Sequence, residues 1–157
     1  MLQHLLSDTG NYEVFIRLIV AALLGLLIGT ERSLAHKTAG MRTFSLISLA
    51  AALFSVIAEQ VAYTSTPFSS IALANVLATI ISGIGFIGAG LIFIKHEHVN
   101  GLTTAAGLWV TAGIGMACGL GYYVLATFST VLAIIILGIV FYLESKLVAD
   151  QLDKPRT

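Results

Sequence analysis

Residues 71–94 read IALANVLATIISGIGFIGAGLIFI, a run of 24 positions without one charged side chain. About 20 apolar residues in an α-helix are needed to cross the ~30 Å hydrocarbon core of a bilayer. In lipid, each backbone N–H and C=O has to find its partner within the protein, and a helix satisfies them inside the segment itself. A barrel strand would instead alternate apolar and polar residues over about 10 positions, and this run does not alternate. It reads as a transmembrane helix. The string Ser82 to Gly90 inside it contains G-x-G-x-x-G. A dinucleotide site needs that motif between a strand and a helix start, with an acid about 20 residues on. Here the motif lies within a span and the next acid, Glu97, is too near. A nucleotide role is excluded. What Gly83, Gly85, Gly88 and Gly90 do permit is close backbone approach or a helix break, and a broken helix presents carbonyls to a cation.

Working outward, four more apolar runs cover about residues 14–30, 43–62, 103–120 and 122–143. The expected fold is therefore an all-α integral membrane protein, a bundle of about five transmembrane helices. The transmembrane domain occupies residues 1–145, with a short cytoplasmic tail at 146–157. Composition agrees, because 57% of the chain is hydrophobic and only 10% charged. A soluble domain carries about 25% charged residues, and so few could not cover a water-facing surface. Met1 to Gly10 lacks a basic signal-peptide start, so the first run is taken as a retained span.

Net charge is zero, which leaves no basic surface for a nucleic-acid partner. The single cysteine, Cys118, rules out a disulfide framework and suits a small packing residue. No nucleophile–base pair and no H-E-x-x-H string is present, so neither an enzyme nor a resident cofactor is expected. His96 and His98 have ligand chemistry, but positions i and i+2 do not share a helix face. They could hold a metal only if a loop or extended segment brought them together.

Orientation follows the Lys and Arg count in the loops. Arg32, Lys37 and Arg42 fall in the first loop, Lys95 in the third, and Lys146, Lys154 and Arg156 in the tail. The second loop, Tyr63 to Ser70, has none. Five spans place that positive charge on one side, with the N-terminus outside and the C-terminus cytoplasmic. Tyr122 and Tyr123 then lie at the outer interface and Tyr142 at the inner one.

Helices associate in lipid through close approach of small residues and interhelical hydrogen bonds. Ala21, Gly25 and Gly29 form such a stripe on the first span. Ser45, Ser48, Ala52, Ser55 and Glu59 form one on the second, and Asn75, Ala78, Ser82, Gly85 and Ala89 one on the third. Thr103, Gly107, Thr111, Gly115 and Gly119 recur every four residues on the fourth. The fifth span is mostly Ile, Leu and Val, so four helices are expected to pack and the fifth to be peripheral. A thin four-helix bundle suggests a homo-oligomer. The stripes have two readings. They are helix contacts, or Ser45, Ser48, Ser55, Glu59, Asn75 and Ser82 line a narrow polar path.

The first loop is the richest polar stretch. Glu31, Arg32, Arg42 and Thr43 sit at its helix mouths and either anchor the helices to the interface or, through a Glu31–Arg42 pair, hold a cytoplasmic gate. Arg17, one turn into the first span, reads as an interface anchor with Glu13 four residues before it. Sliding the chain by 61 places matches Gly29, Gly40, Thr43 and Ala51 to Gly90, Gly101, Thr104 and Ala112. That is the trace expected of a parallel repeat of two hairpins.

Taken in order, four motifs resemble the MgtC/SapB family of bacterial inner-membrane proteins. They are Arg17 with Gly25 to Arg32, then Ala39 to Thr43, then Ser82 to Gly90, then Gly101 to Ala112 through Thr103, Thr104, Ala106, Trp109 and Thr111. The likeness covers about residues 14 to 143. It implies a multi-pass protein of the bacterial inner membrane linked to magnesium homeostasis or stress adaptation, with Mg²⁺ as substrate or signal. It also implies a choice between moving the ion and modulating other membrane proteins, the proton-driven ATP synthase among them. Long members carry a cytoplasmic domain resembling an ACT module, and this chain looks like the membrane-domain form. Members commonly have an aspartate and an arginine shortly before the glycine motif. Here Ser70 to Thr79 has Asn75 and no charge.

A regulator would need a groove for a partner helix, and the Gly107 to Gly119 stripe is where one is expected. A Mg²⁺ path presents carboxylates or carbonyls to the ion. The acids near helices are Glu13, Glu31, Glu59 and Glu144, all at helix ends.

Overall fold

The structure, a computed structural model, describes the backbone of residues 8–64, 70–95 and 98–140, with their side chains except at 8–11, 64, 95, 98 and 140. Helix α1 spans Asp8–Leu34, α2 Met41–Thr64, α3 Ser70–Leu91, α4 Leu102–Gly119 and α5 Tyr123–Ile135. A π-helical turn, Ile136–Val140, continues α5. Helices α1 to α4 each hold a stretch long and apolar enough to cross a membrane, and Tyr123–Ile139 is a shorter apolar helix. The architecture is the expected helical membrane bundle. Tyr142, the expected end of the fifth span and the tail at 146–157 lie outside the described residues.

Two helix ends show how the sequence sets the bundle's turns. At the end of α4, the Gly121 amide donates to Cys118 O (2.9 Å) and the Tyr122 amide to Ala117 O (2.8 Å). This paired closure needs a left-handed residue just past the helix, and Gly121 supplies it with φ 80°. The α4–α5 turn is tight for that reason. At the end of α1 the same pattern recurs, Lys37 donating to Arg32 O and His36 to Ser33 O. There the left-handed residue is His36, φ 54°, which carries a Cβ that glycine would not. Ser33 then reaches across the turn, its Oγ accepting the Met41 amide that opens α2 (3.1 Å).

One segment departs from the expected helices. Hydropathy carries the third span to Ile94, but α3 stops at Leu91 and a short hairpin follows. Its strands, β1 (Phe93–Lys95) and β2 (His98–Asn100), pair antiparallel with Phe93 opposite Asn100 and Ile94 opposite Val99. Ile92, Phe93, Ile94 and Val99 are the β-branched and aromatic types that favour a pleated edge over a helix. Apolar content alone does not separate those outcomes.

Helices α2 and α4 form the centre. Each packs on α1 and on α3 and they pack on each other, while α5 packs on α4 and α1. The closest approaches are made at glycines. A Cβ on Gly25 would stand 2.6 Å from Phe44 O, one on Gly29 2.6 Å from the Met41 Cα, and one on Gly119 2.5 Å from Ala52 O. Phe44 and Ile28 are fully buried where α1, α2 and α4 meet.

Among the described residues the least buried helix is α3 rather than the expected α5. Along α3 only Ile84 and Gly88 are buried, whereas α5 buries Ala126, Thr130 and Ala133. The reason lies in side-chain size. On α5 the small residues fall on the face towards α1 and α4. On α3 the stripe Asn75, Ala78, Ser82, Gly85 and Ala89 is exposed throughout. Ile84 packs instead against Ala51 and Ala112. A groove of about 670 Å³, lined by Phe54, Ile57, Val61 and Val76 among others, separates α2 from α3.

Candidate functional site

Charge is concentrated at the two ends of α1, roughly 22 Å apart along the helix axis. At the first end, Arg17 Nη1 donates to Glu59 Oε2 (2.6 Å) and to Gly119 O (2.9 Å), and Nη2 donates to Glu13 Oε1 (2.7 Å). The Arg17 side chain is 15% exposed and that of Glu59 25%. One guanidinium thereby ties α1 to α2 and caps the last turn of α4. Helix C-terminal carbonyls lack intrahelical donors and carry partial negative charge, so a cation there is favoured twice.

At the other end Arg32 is buried, 1% exposed, and forks onto the Glu31 carboxylate through Nε and Nη2. Its Nη2 also donates to Leu137 O (3.1 Å) in the π-helical turn. Glu31 is therefore engaged by its neighbour. The expected Glu31–Arg42 gate pair does not form: Arg42 is exposed and Thr43 half-buried. Bidentate Arg–carboxylate geometry makes the adjacent pair a strong competitor.

The residues of the expected polar path fall into two groups that the fold does not bring together. Ser48 and Ser55 are sealed at 0% exposure, Ser45 is half-buried and Glu59 is held by Arg17. Asn75 and Ser82 lie exposed on α3. Several hydroxyls in the spans are satisfied on their own helices. Ser45 donates to Met41 O, Ser55 to Ala51 O, Thr79 to Asn75 O and Thr111 to Gly107 O, each at 2.8 Å. Such back-bonding removes a hydroxyl's need for water. Ser48 Oγ is the exception, buried without a partner among the described residues.

The groove expected along Gly107 to Gly119 is filled. Gly107, Thr111, Gly115 and Gly119 are buried, and a Cβ added to Gly115 would overlap Ser48 O. A partner helix has no access there. Glycines of the α3 motif behave differently. A Cβ added to Gly83, Gly85 or Gly90 would meet nothing within 4 Å, one on Gly88 would meet Ala105 at 3.5 Å, and α3 runs unbroken through them. His96 and the His98 side chain lie outside the described residues.

Reading from sequence missed the Arg17–Glu59 pair, joining Arg17 to Glu13 and Glu59 to the path. The signal was there. Counting equally outward along both arms of the α1–α2 hairpin brings Arg17 within about a turn of Glu59.

This arrangement of charged helix ends around glycine-mediated crossings falls on the motifs of a known family. The MgtC family profile matches residues 18–146. The chain belongs to the MgtC family. Among curated relatives of this family, the Escherichia coli K12 protein YhiD, named as a candidate magnesium transporter, is 38% identical over 86% of the chain and 64% of its own length. MgtC of Brucella abortus (strain 2308) is 46% identical over 73% of the chain and 45% of its length. MgtC of Salmonella typhimurium LT2 is 41% identical over 77% and 49%. The chain thus spans about half to two thirds of these MgtC-family relatives. No solved structure matches it. Its place in the family makes it a multi-pass bacterial membrane protein.

Proposed function

We propose that this MgtC-family chain serves magnesium homeostasis in the bacterial inner membrane as a regulator that binds other transmembrane helices, without carrying the ion itself and without a catalytic step. The observation behind this reading is the face of α3. Asn75, Ala78, Ser82, Gly85 and Ala89 form a small-residue stripe that is exposed along its whole length. An amide such as that of Asn75 facing lipid is costly unless another helix supplies a hydrogen bond. A second copy of the chain is the first occupant to test, and another membrane protein the next.

Transport is the second reading, favoured by the name that YhiD carries. It requires a continuous path. The sealed Ser48 and Ser55 and the outward Asn75 and Ser82 do not support one within a single chain.

One reconstitution separates the two. Protein in liposomes with an internal Mg²⁺ dye is expected to give no saturable uptake. A Ser82→Cys protein, with Cys118→Ala to remove the native thiol, is expected to form disulfide-linked adducts across α3 in membranes. Replacing Gly85 by Leu should reduce them. Saturable uptake that falls with Asn75→Leu would overturn the regulator reading.

A further inference from the structure

Two backbone irregularities stand at the same end of the bundle, and one side chain joins them. The first is the turn that closes α1. Its left-handed position is filled by His36, φ 54°, a conformation that costs a residue with a Cβ and persists only where its surroundings hold it. The second is the π-helical turn Ile136–Val140, where regular α5 gives way after Ile135. The local sequence does not insist on an α-helix there. Ile135, Ile136, Ile139 and Val140 are β-branched, and Gly138 weakens a helix. A Cβ added at Gly138 would meet nothing within 4 Å, so packing does not call for glycine at that position.

Glu31 and Arg32 reach both. Their backbones hold the first turn: Glu31 O accepts the Ala35 amide (2.9 Å), and Arg32 O accepts the Lys37 amide (3.0 Å) just past His36. Their side chains hold the second. The buried Arg32 guanidinium pairs with the Glu31 carboxylate and donates from Nη2 to Leu137 O (3.1 Å). A side chain inserted into the hydrogen-bond ladder is one of the few causes of an irregular helix, and π turns recur at functional sites. A buried guanidinium that gave up this carbonyl would leave an N–H unpaired, so the tie is selective for the geometry that presents it. The turn also has room to change shape, because Ile136 and Leu137 border a cavity of about 530 Å³ together with Arg32 and His36.

We propose that Arg32 is a register lock that couples the α1–α2 turn to the end of α5. While the turn is closed, Arg32 holds Leu137 O and α5 ends in the wide turn. When the turn opens, Arg32 withdraws and the segment tightens to α-helical spacing. A π turn takes in one residue more than an α turn, so the change rotates the backbone at Val140 by about 100° around the helix axis. The state of the first loop thereby sets the direction in which the chain leaves the bundle. The regular part of α5 stays in place, fixed by the buried Ala126, Thr130 and Ala133. The device is independent of whether α3 docks a partner.

The test uses the full chain in lipid nanodiscs, with Cys118→Ala and pairs of nitroxide labels on introduced cysteines, read as distances by pulsed electron paramagnetic resonance. Position 139 is labelled against position 27 of α1 and, separately, against position 102 of α4. Position 132, on regular α5, is the control against the same two references, and the native residues Leu27, Leu102, Leu132 and Ile139 are all exposed. Arg32→Gln is expected to shift at least one distance to position 139 by about 5 Å or more, the displacement of a side chain turned ~100° on a helix about 10 Å across. Both distances to position 132 should stay unchanged. Glu31→Gln, which loses the fork but keeps the bulk, should produce the same shift in part of the population, and it serves if Arg32→Gln does not fold. His36→Val, a β-branched side chain for which a left-handed φ is a true outlier, should do likewise from the side of the turn. Unchanged distances to position 139 in Glu31→Gln, and in Arg32→Gln where it folds, overturn the lock. A joint shift of positions 132 and 139 also overturns it, because α5 then moves as one body and Arg32 is a plain docking contact. Unchanged distances in His36→Val overturn the coupling to the turn.

Discussion

Helices α3 and α4 both carry small residues at every third or fourth position, and the fold uses them in opposite ways. On α4, Gly107, Thr111, Gly115 and Gly119 are buried against α2. On α3, Asn75, Ala78, Ser82, Gly85 and Ala89 stay exposed, with Gly85 and Ala89 lining an open groove beside α4. What decides between them is the opposing surface. Across from α4, α2 offers Ser48 and Ala52, small enough for the backbones to meet. Across from α3, α2 offers Phe54 and Ile57 and α4 offers Trp109 and Val110, and grooves remain on both sides. A stripe of small residues says that a backbone can come close. It does not say whose.

The largest effect should come from adding one methyl group to each helix. Gly115→Ala drives a Cβ into a backbone carbonyl of α2, which cannot swing aside as a side chain would. The variant should lose at least about 3 kcal/mol of stability, at the upper end of what overpacking costs. Gly85→Ala meets nothing within 4 Å and should stay within about 0.5 kcal/mol of the parent. Denaturant or thermal unfolding in detergent measures both. Comparable losses at the two sites would mean that α3 is buried against something in the folded protein, and the comparison would have to be redrawn.

Next in size is the tie that holds the end of α4. Glu59→Gln removes the carboxylate from Arg17 but leaves Gly119 O and Glu13 in place. A loss of about 2 kcal/mol is expected, below the 3–5 of a fully buried pair because Glu59 keeps some exposure. A double-mutant cycle with Arg17→Gln should give a coupling of about 1–3 kcal/mol. Asn75→Leu on α3 should cost the single chain almost nothing by the same measurement. Additive effects of Arg17 and Glu59 would show that the two act separately and that α4 is held by packing alone.

How much of this is legible in the sequence differs between the same regions. The helical bundle and the glycine stripes of α1 and α4 follow from hydropathy and spacing, because apolar length and a four-residue repeat have few other uses in lipid. The exposure of α3 does not follow, since its stripe obeys the same rule and only the bulk of Phe54 and Trp109, brought opposite by the fold, keeps it from closing. The matched glycines make the same point. Gly40 and Gly101 both stand immediately before a helix, yet Gly29 is pressed on Met41 while Gly90 has open space. The β-hairpin escapes because Ile92 to Ile94 suits a helix or a strand equally by hydropathy. Arg32 stands at a helix mouth in the sequence and is buried in the fold, because its partners Glu31 and Leu137 O come from a neighbouring residue and from a helix far along the chain.

The smallest effect concerns Ser48, which lies between Gly25 of α1 and Gly115 of α4 at the heart of the packed region. Its hydroxyl is buried without a partner among the described residues, while that of Ser55, two turns on, bonds to Ala51 O. Removing an unpaired buried hydroxyl returns its desolvation cost, so Ser48→Ala should be neutral or stabilising by up to about 1 kcal/mol. Ser55→Ala should be neutral or slightly destabilising, by about 0.5 kcal/mol, because a satisfied bond is lost with it. The order of the two is the informative part. If Ser48→Ala destabilises more than Ser55→Ala, the Ser48 hydroxyl has a partner such as a water or an ion. The tightly closed α1–α2–α4 crossing would then have to hold a polar site, and the conduction reading would regain a residue within the α2 span.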